Sequence, residues 1–146
     1  PAFGRPDGDF QTKFVEARLA PLAAGGTMAD LARELVDTMM SADADPNGRQ
    51  LAFDCMANMS ADTYRAAVEC IVTFEQRANL PGIAVPTLAL AGANDTNAPA
   101  PMMEKMAAKI PGCRYVCLPD LGHLANLEDP QAFDAALTAF LDTVPR

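Results

Sequence analysis

Apolar positions in the first half of the chain recur at helical spacing. Phe10, Phe14, Ala17 and Arg18 to Leu19 form a stripe from Asp9 to Leu22, which Pro21 is expected to end or kink. Gly25-Gly26 breaks the chain, and Thr27 with Asp30 offers an N-cap to a second helix carrying Met28, Leu31, Leu35 and Met39. Asp45-Pro46 opens a third helix through about Asn58, because proline is tolerated in a first turn. Ser60 caps a fourth, with Tyr64, Ala67, Val68 and Ile71 on its apolar face.

From Ile83 the pattern changes. Val85 to Gly92 is a short apolar run ended by glycine, and its core, Thr87–Ala91, reads as a strand. A helix is predicted from Pro99 to Ile110, stopped by Pro111-Gly112. Arg114–Leu118 reads as a second strand, and Asp129-Pro130 opens a last helix to Thr143 with Phe133, Leu137 and Phe140 on one face. Strand, helix, strand and helix at this spacing predict a right-handed βαβ unit of a parallel sheet, so the fold class is α/β. Continuous apolar strands need neighbours on both sides, and the helical half offers no third strand.

Composition narrows the partners. Half of the 146 residues are apolar, and the net charge is −8 with no Lys/Arg cluster, which argues against nucleic acid. The longest apolar run, Ile83–Gly92, is far short of the about 20 residues of a membrane span. Pro1–Gly8 has no apolar stretch of a signal peptide and no initiator Met, so a segment is expected to have lain upstream or been removed. Cys55, Cys70, Cys113 and Cys117 form no CxxC pair. On one extended strand Cys113 and Cys117 would stand ~13 Å apart, too far for a disulfide. The four read as small buried hydrophobes in a reducing, cytoplasmic setting. With a single histidine in the chain, no metal site is expected.

The chemistry gathers at the carboxyl ends of the strands, where open α/β sheets place their sites. The first strand runs into Gly92-Ala93-Asn94-Asp95, and the second into Pro119-Asp120-Leu121-Gly122-His123. An Asp beside a His is an acid–base pair: the carboxylate accepts the Nδ1 proton, and Nε2 is left to take a proton from a nucleophile or water. Alternatively Asp95 caps the turn Asn94-Asp95-Thr96, and Asp120 is a rival acid. Glu128 and Asp129 read as caps of the last helix, and Asn126 as a residue bonded locally.

Pro86 to Asp95, Pro111-Gly112-Cys113 and Gly122-His123-Leu124-Ala125-Asn126-Leu127-Glu128-Asp129-Pro130-Gln131-Ala132-Phe133 resemble the C-terminal part of the α/β-hydrolase fold. The 28-residue separation of Asp95 and His123 is similar to that family's, and the Gly-His ending resembles the branch of 3-oxoadipate enol-lactonases. Leu124 stands where relatives often have Ser. The resemblance implies that Asp95 is the catalytic acid and His123 the general base. It implies a helical cap over residues 1–80, the C-terminal part of the core over 81–146, and no cofactor.

The family nucleophile sits on a Gly-x-Ser-x-Gly elbow. Ser41 and Ser60, both in Met-Ser-Ala-Asp, have no flanking glycines, and no cysteine is in an elbow either. The nucleophile is therefore expected in an N-terminal companion segment. Caps of this kind line the pocket and exclude water, which makes Phe53, Met56 and Phe74 the candidate wall. Met28, Met39, Met40 and Met59 are further cap methionines, read either as plain helix packing or as part of that apolar wall. Arg65 and Arg77 are candidates to meet a substrate carboxylate, or are solvated surface charges. The expected activity is serine-type hydrolysis of a small ester or lactone. The alternatives are a non-catalytic binding module, or a cofactor-free haloperoxidase or C–C hydrolase on the same fold.

Overall fold

Local signals set the ends of the helices. The computed structural model describes residues 8–145. The first helix, α1 (Gly8–Ala23), runs past Pro21, because a proline in the last turn removes only one hydrogen bond. Its end is set by Gly25, at φ +89°. The Gly26 N–H reaches back to the Pro21 carbonyl and the Gly25 N–H to that of Leu22, a Schellman ending that needs a left-handed residue. The expected stop at Pro21 is thus corrected to Gly25. Helix α2 (Met28–Met39) starts on a complete capping box between Thr27 and Asp30. In α3 (Pro46–Ala57) the Asp45 carboxylate accepts the Asn47 N–H, and in α4 (Ala61–Thr73) the Ser60 hydroxyl accepts that of Thr63.

Two cores hold the helices. Leu19, Met28, Leu31, Leu35, Tyr64 and Val68 join α1, α2 and α4, with Phe14, Met56 and Met59 packed around them. Each large apolar side chain so buried contributes about 1.5–3 kcal/mol. Val36, Met40, Ala44 and Ala52 form the second core, and Leu124 and Leu127 from the far end of the chain pack onto it. A short 3₁₀-helix, Arg77–Gly82, leads out of the helical half.

The strands β1 (Leu88–Gly92) and β2 (Arg114–Leu118) pair in parallel, from Leu88 opposite Arg114 to Gly92 opposite Leu118. Helix α5 (Ala100–Ala107) connects them, and α6 (Ala125–Glu128) and α7 (Pro130–Leu141) follow β2. The 3₁₀-helix and α6 were not predicted, being too short to show a period. The segment Pro1–Asp7, read above for a signal peptide, lies outside the described residues. Among the described residues no helix is long and apolar enough to cross a membrane.

The reading of the cysteines as buried is corrected. Cys55, Cys70 and Cys117 are exposed and Cys113 is half-buried. The buried face of α3 is carried by Gly48 and Ala52, and that of α4 by Tyr64, Val68 and Val72, which turns both helix cysteines outward. Cys117 stands on the sheet face opposite buried Leu118, as strand alternation requires.

Candidate active site

Parallel pairing brings the loops after β1 and β2 to the same edge. They run against each other: the Ala93 N–H donates to the Leu118 carbonyl at 2.8 Å and the Asn94 N–H to that of Leu121 at 2.8 Å. Gly92 permits this approach, since a Cβ there would lie 2.2 Å from the Gly122 carbonyl oxygen. Gly122 in turn passes the end of α2, where a Cβ would lie 2.6 Å from the Met39 carbonyl oxygen. The next N–H, that of His123, donates to that same carbonyl at 2.7 Å.

Asp95 and His123 meet in this corner. His123 Nδ1 lies 2.8 Å from Asp95 Oδ2, and the other carboxylate oxygen accepts the N–H groups of Asn97 at 2.7 Å and Ala98 at 2.9 Å. Asp95 therefore caps its own turn and holds the histidine at once; the two readings of this residue coexist. Burial pushes its carboxyl up, but the bond from His123, the two backbone N–H groups and the charge of His123 pull it down further, and the net shift is downward. With Asp95 ionised, Nδ1 carries the proton and Nε2 a lone pair. The His123 side chain is 36% exposed and Asp95 only 6%, so the acid is shielded while the base is accessible.

One residue was missed by the sequence reading. Glu128, 4% exposed, does not cap α7; Asp129 does so, accepting the Ala132 N–H at 3.0 Å. Glu128 Oε2 instead accepts the N–H groups of Ser41 at 2.8 Å and Gly122 at 2.9 Å, and Oε1 that of Leu124 at 3.2 Å. It clamps both sides of His123 and ties that loop to the helical half. No local signal announces this role, because Ser41 lies 87 residues away.

The remaining candidates separate. The Asp120 carbonyl accepts the Ser41 hydroxyl at 2.6 Å, and Asp120, at φ +62°, makes no bond to His123 among the described residues. The Ser60 hydroxyl serves as a helix cap. Asn126 lines a small cavity of about 150 Å³ together with Asp95, His123 and Phe133.

A larger cavity of about 230 Å³ lies between α1, α2, α4 and the His123 loop. Met56 lines it, with Leu35, Met39, Val68 and Ile71. Phe53 does not: it packs on the second core beneath the Arg33 guanidinium, 5.7 Å from the ring centre. Phe74 is 57% exposed and outside it. Arg65 is exposed, and Arg77 pairs with Glu75 at 2.7 Å. The cation that reaches the cavity is Arg18, from α1. Burial raises the hydroxyl pKa of Tyr64, another lining residue, and the charge of Arg18 opposes that rise. Among the described residues no group of three or more His, Cys, Asp or Glu side chains could hold a metal ion.

The sequence profile of the alpha/beta hydrolase family matches residues 1–136. The chain belongs to the alpha/beta hydrolase family. It is 34% identical over 103 residues to the proposed carbamate hydrolase RutD of Pseudomonas syringae pv. syringae (strain B728a), covering 68% of this chain and 40% of that protein. Among solved structures it is similar to the enol-lactonase from Burkholderia xenovorans LB400, with a TM-score of 0.79 and 28% identity over 89% of this chain and 50% of that one. It also shares the fold of a thermophilic esterase from Thermogutta terrifontis, with a TM-score of 0.81 and 24% identity over 94% of this chain and 52% of that one. This hydrolase-family chain thus spans about half the length of the solved structures it matches. The resemblance read from the strand ends and the Gly-His segment holds, and the fold is α/β, a part of the alpha/beta hydrolase architecture.

Proposed function

We propose that this chain supplies the acid and base of a serine hydrolase that cleaves an ester or lactone. The observation that carries the reading is the 2.8 Å contact between His123 Nδ1 and shielded Asp95 Oδ2, made by a histidine that also lines the cavity between α1, α2 and α4. In this reading Asp95 keeps the proton on Nδ1 and stabilises the imidazolium as it forms. Nε2 takes the hydroxyl proton of a serine on a Gly-x-Ser-x-Gly elbow, which belongs to a companion N-terminal segment. The serine oxygen bonds to the substrate carbonyl carbon, and His123 returns the proton to the leaving alkoxide as the ester C–O bond breaks. Water, deprotonated by the same nitrogen, then releases the acid. Residues 1–80 act as the cap and 81–146 as part of the core. Similarity to an enol-lactonase at 28% identity supports hydrolysis at a carbonyl carbon.

A serine-directed fluorophosphonate added to the full-length protein tests this. Labelling of the upstream serine is expected, slowed about 10³-fold or more by His123→Ala. Absence of labelling with an intact upstream segment sinks the proposal.

A further inference from the structure

The loop that carries His123 is held from outside at every residue. The Asp120 carbonyl accepts the Ser41 hydroxyl at 2.6 Å, and the Leu121 carbonyl accepts the Asn94 N–H at 2.8 Å. The Gly122 and Leu124 N–H groups donate to the Glu128 carboxylate, and the His123 N–H to the Met39 carbonyl. Of these contacts only that of Asn94 comes from the loop of Asp95, whereas those of Met39 and Ser41 come from the corner where α2 ends. Ser41 is the node of that corner. Its N–H donates to Glu128 Oε2 at 2.8 Å, its hydroxyl to Asp120, and its carbonyl accepts the Arg49 guanidinium of α3 at 2.6 Å. Arg49 is itself anchored on Asp37 of α2 at 2.8 Å. Ser60, in the same Met-Ser-Ala-Asp tetrapeptide, uses its hydroxyl only within its own helix start, at Thr63. Asp120 has φ +62°, a left-handed conformation that is costly for a residue with a Cβ, so a fixed donor on its carbonyl holds a turn that would otherwise relax. A base that must meet a proton in line tolerates little displacement, since 1 Å can cost ~10²-fold in rate.

We infer that Ser41 is a positioning residue for His123. From the helical half it fixes the turn at Asp120 and the carboxylate of Glu128, and through them it sets the imidazole against Asp95. The base then has its working geometry only while the corner between α2 and α3 is seated on its loop. The inference rests on the hydrolase reading for what His123 does, but the bond between His123 and Asp95 gives a readout that needs no nucleophile.

The test compares Ser41→Ala, Ser41→Thr and Ser60→Ala in the full-length protein. Two quantities are read: turnover of p-nitrophenyl acetate, and the proton NMR signal of the Nδ1–H shared with Asp95, assigned by its loss in His123→Ala. Ser41→Ala is expected to lower kcat about tenfold with KM nearly unchanged, and to broaden the Nδ1–H signal. Ser41→Thr keeps the hydroxyl and is expected to restore most of both. Ser60→Ala removes the same group from a helix cap and is expected to leave both at the wild-type level. An unchanged kcat with a sharp signal in Ser41→Ala, or an equal fall in Ser60→Ala, overturns the role. Should Ser41→Ala fail to fold, Arg49→Met frees the Ser41 carbonyl from the surface of α3; broadening is expected there too, and an unaltered signal overturns the role. A wild type that shows the signal and loses it in Ser41→Ala, yet never labels with fluorophosphonate, keeps the positioning and refutes the serine chemistry.

Discussion

Asp95 does two jobs with one carboxylate, and both favour its charged form. Its two backbone N–H partners and His123 hold the native carboxyl below its ordinary value of 3.8, despite burial. A native group with a depressed pKa binds fewer protons than the unfolded chain in the range between the two values. Its stabilisation is therefore complete above the ordinary value. It is lost progressively as pH falls through 3.8 toward the lower native value. Asp95→Asn removes that contribution. Urea denaturation is expected to show the wild type ahead of Asp95→Asn at pH 7, with the gap narrowing as pH falls below 3.8. A gap independent of pH would contradict the assignment.

At the scale of elements, α6 raises the question of why it forms. Four residues are too few for a helix that must nucleate by itself. The turn persists because Glu128, its last residue, reaches back to the amides of Gly122 and Leu124 and across to that of Ser41. Its own carbonyl accepts the Asp45 N–H at 3.1 Å, which fastens the start of α3 as well. The close passage of α3 over α6 needs Gly48, where a Cβ would lie 1.8 Å from the Leu127 carbonyl oxygen. Glu128→Ala leaves three amides without acceptors, and each costs about 1–3 kcal/mol if it stays dry. A large fall in the denaturation midpoint is expected, with a smaller fall for Glu128→Gln, which keeps one acceptor oxygen. A loss under about 1 kcal/mol for Glu128→Ala would show that water replaces the carboxylate without difficulty.

Over the whole molecule the two-stranded sheet dominates. Parallel strands gain their stability from neighbours and from cover on both faces, and two strands are at the margin. Among the described residues β1 has β2 on one edge and no strand on the other. Helix α7 carries Phe133, Leu137 and Phe140, yet buries none of its residues fully. Produced by itself, the 15.4 kDa chain is expected to self-associate through this edge, as light scattering would reveal. A monodisperse monomer with one sharp melting transition would overturn this.

How much was legible follows the range of the interactions. Helix α5 ends at Ala107, ahead of the expected stop at Pro111-Gly112, whereas the Thr27–Asp30 box and the Asp45, Ser60 and Asp129 caps involve partners within a few residues, and all were readable in the sequence. So was the approach of Asp95 to His123, because two parallel strands joined by one helix bring their carboxyl ends together whatever surrounds them. Other outcomes belonged to packing between distant segments. The turn of the cysteines to solvent, the withdrawal of Phe53 and Phe74 from the cavity, and the entry of Arg18 where Arg65 or Arg77 was expected depend on which helix face meets which core. Glu128 is the plainest case: only the tertiary structure brings Ser41 to it, since a buried carboxylate takes whichever amides the fold leaves without partners.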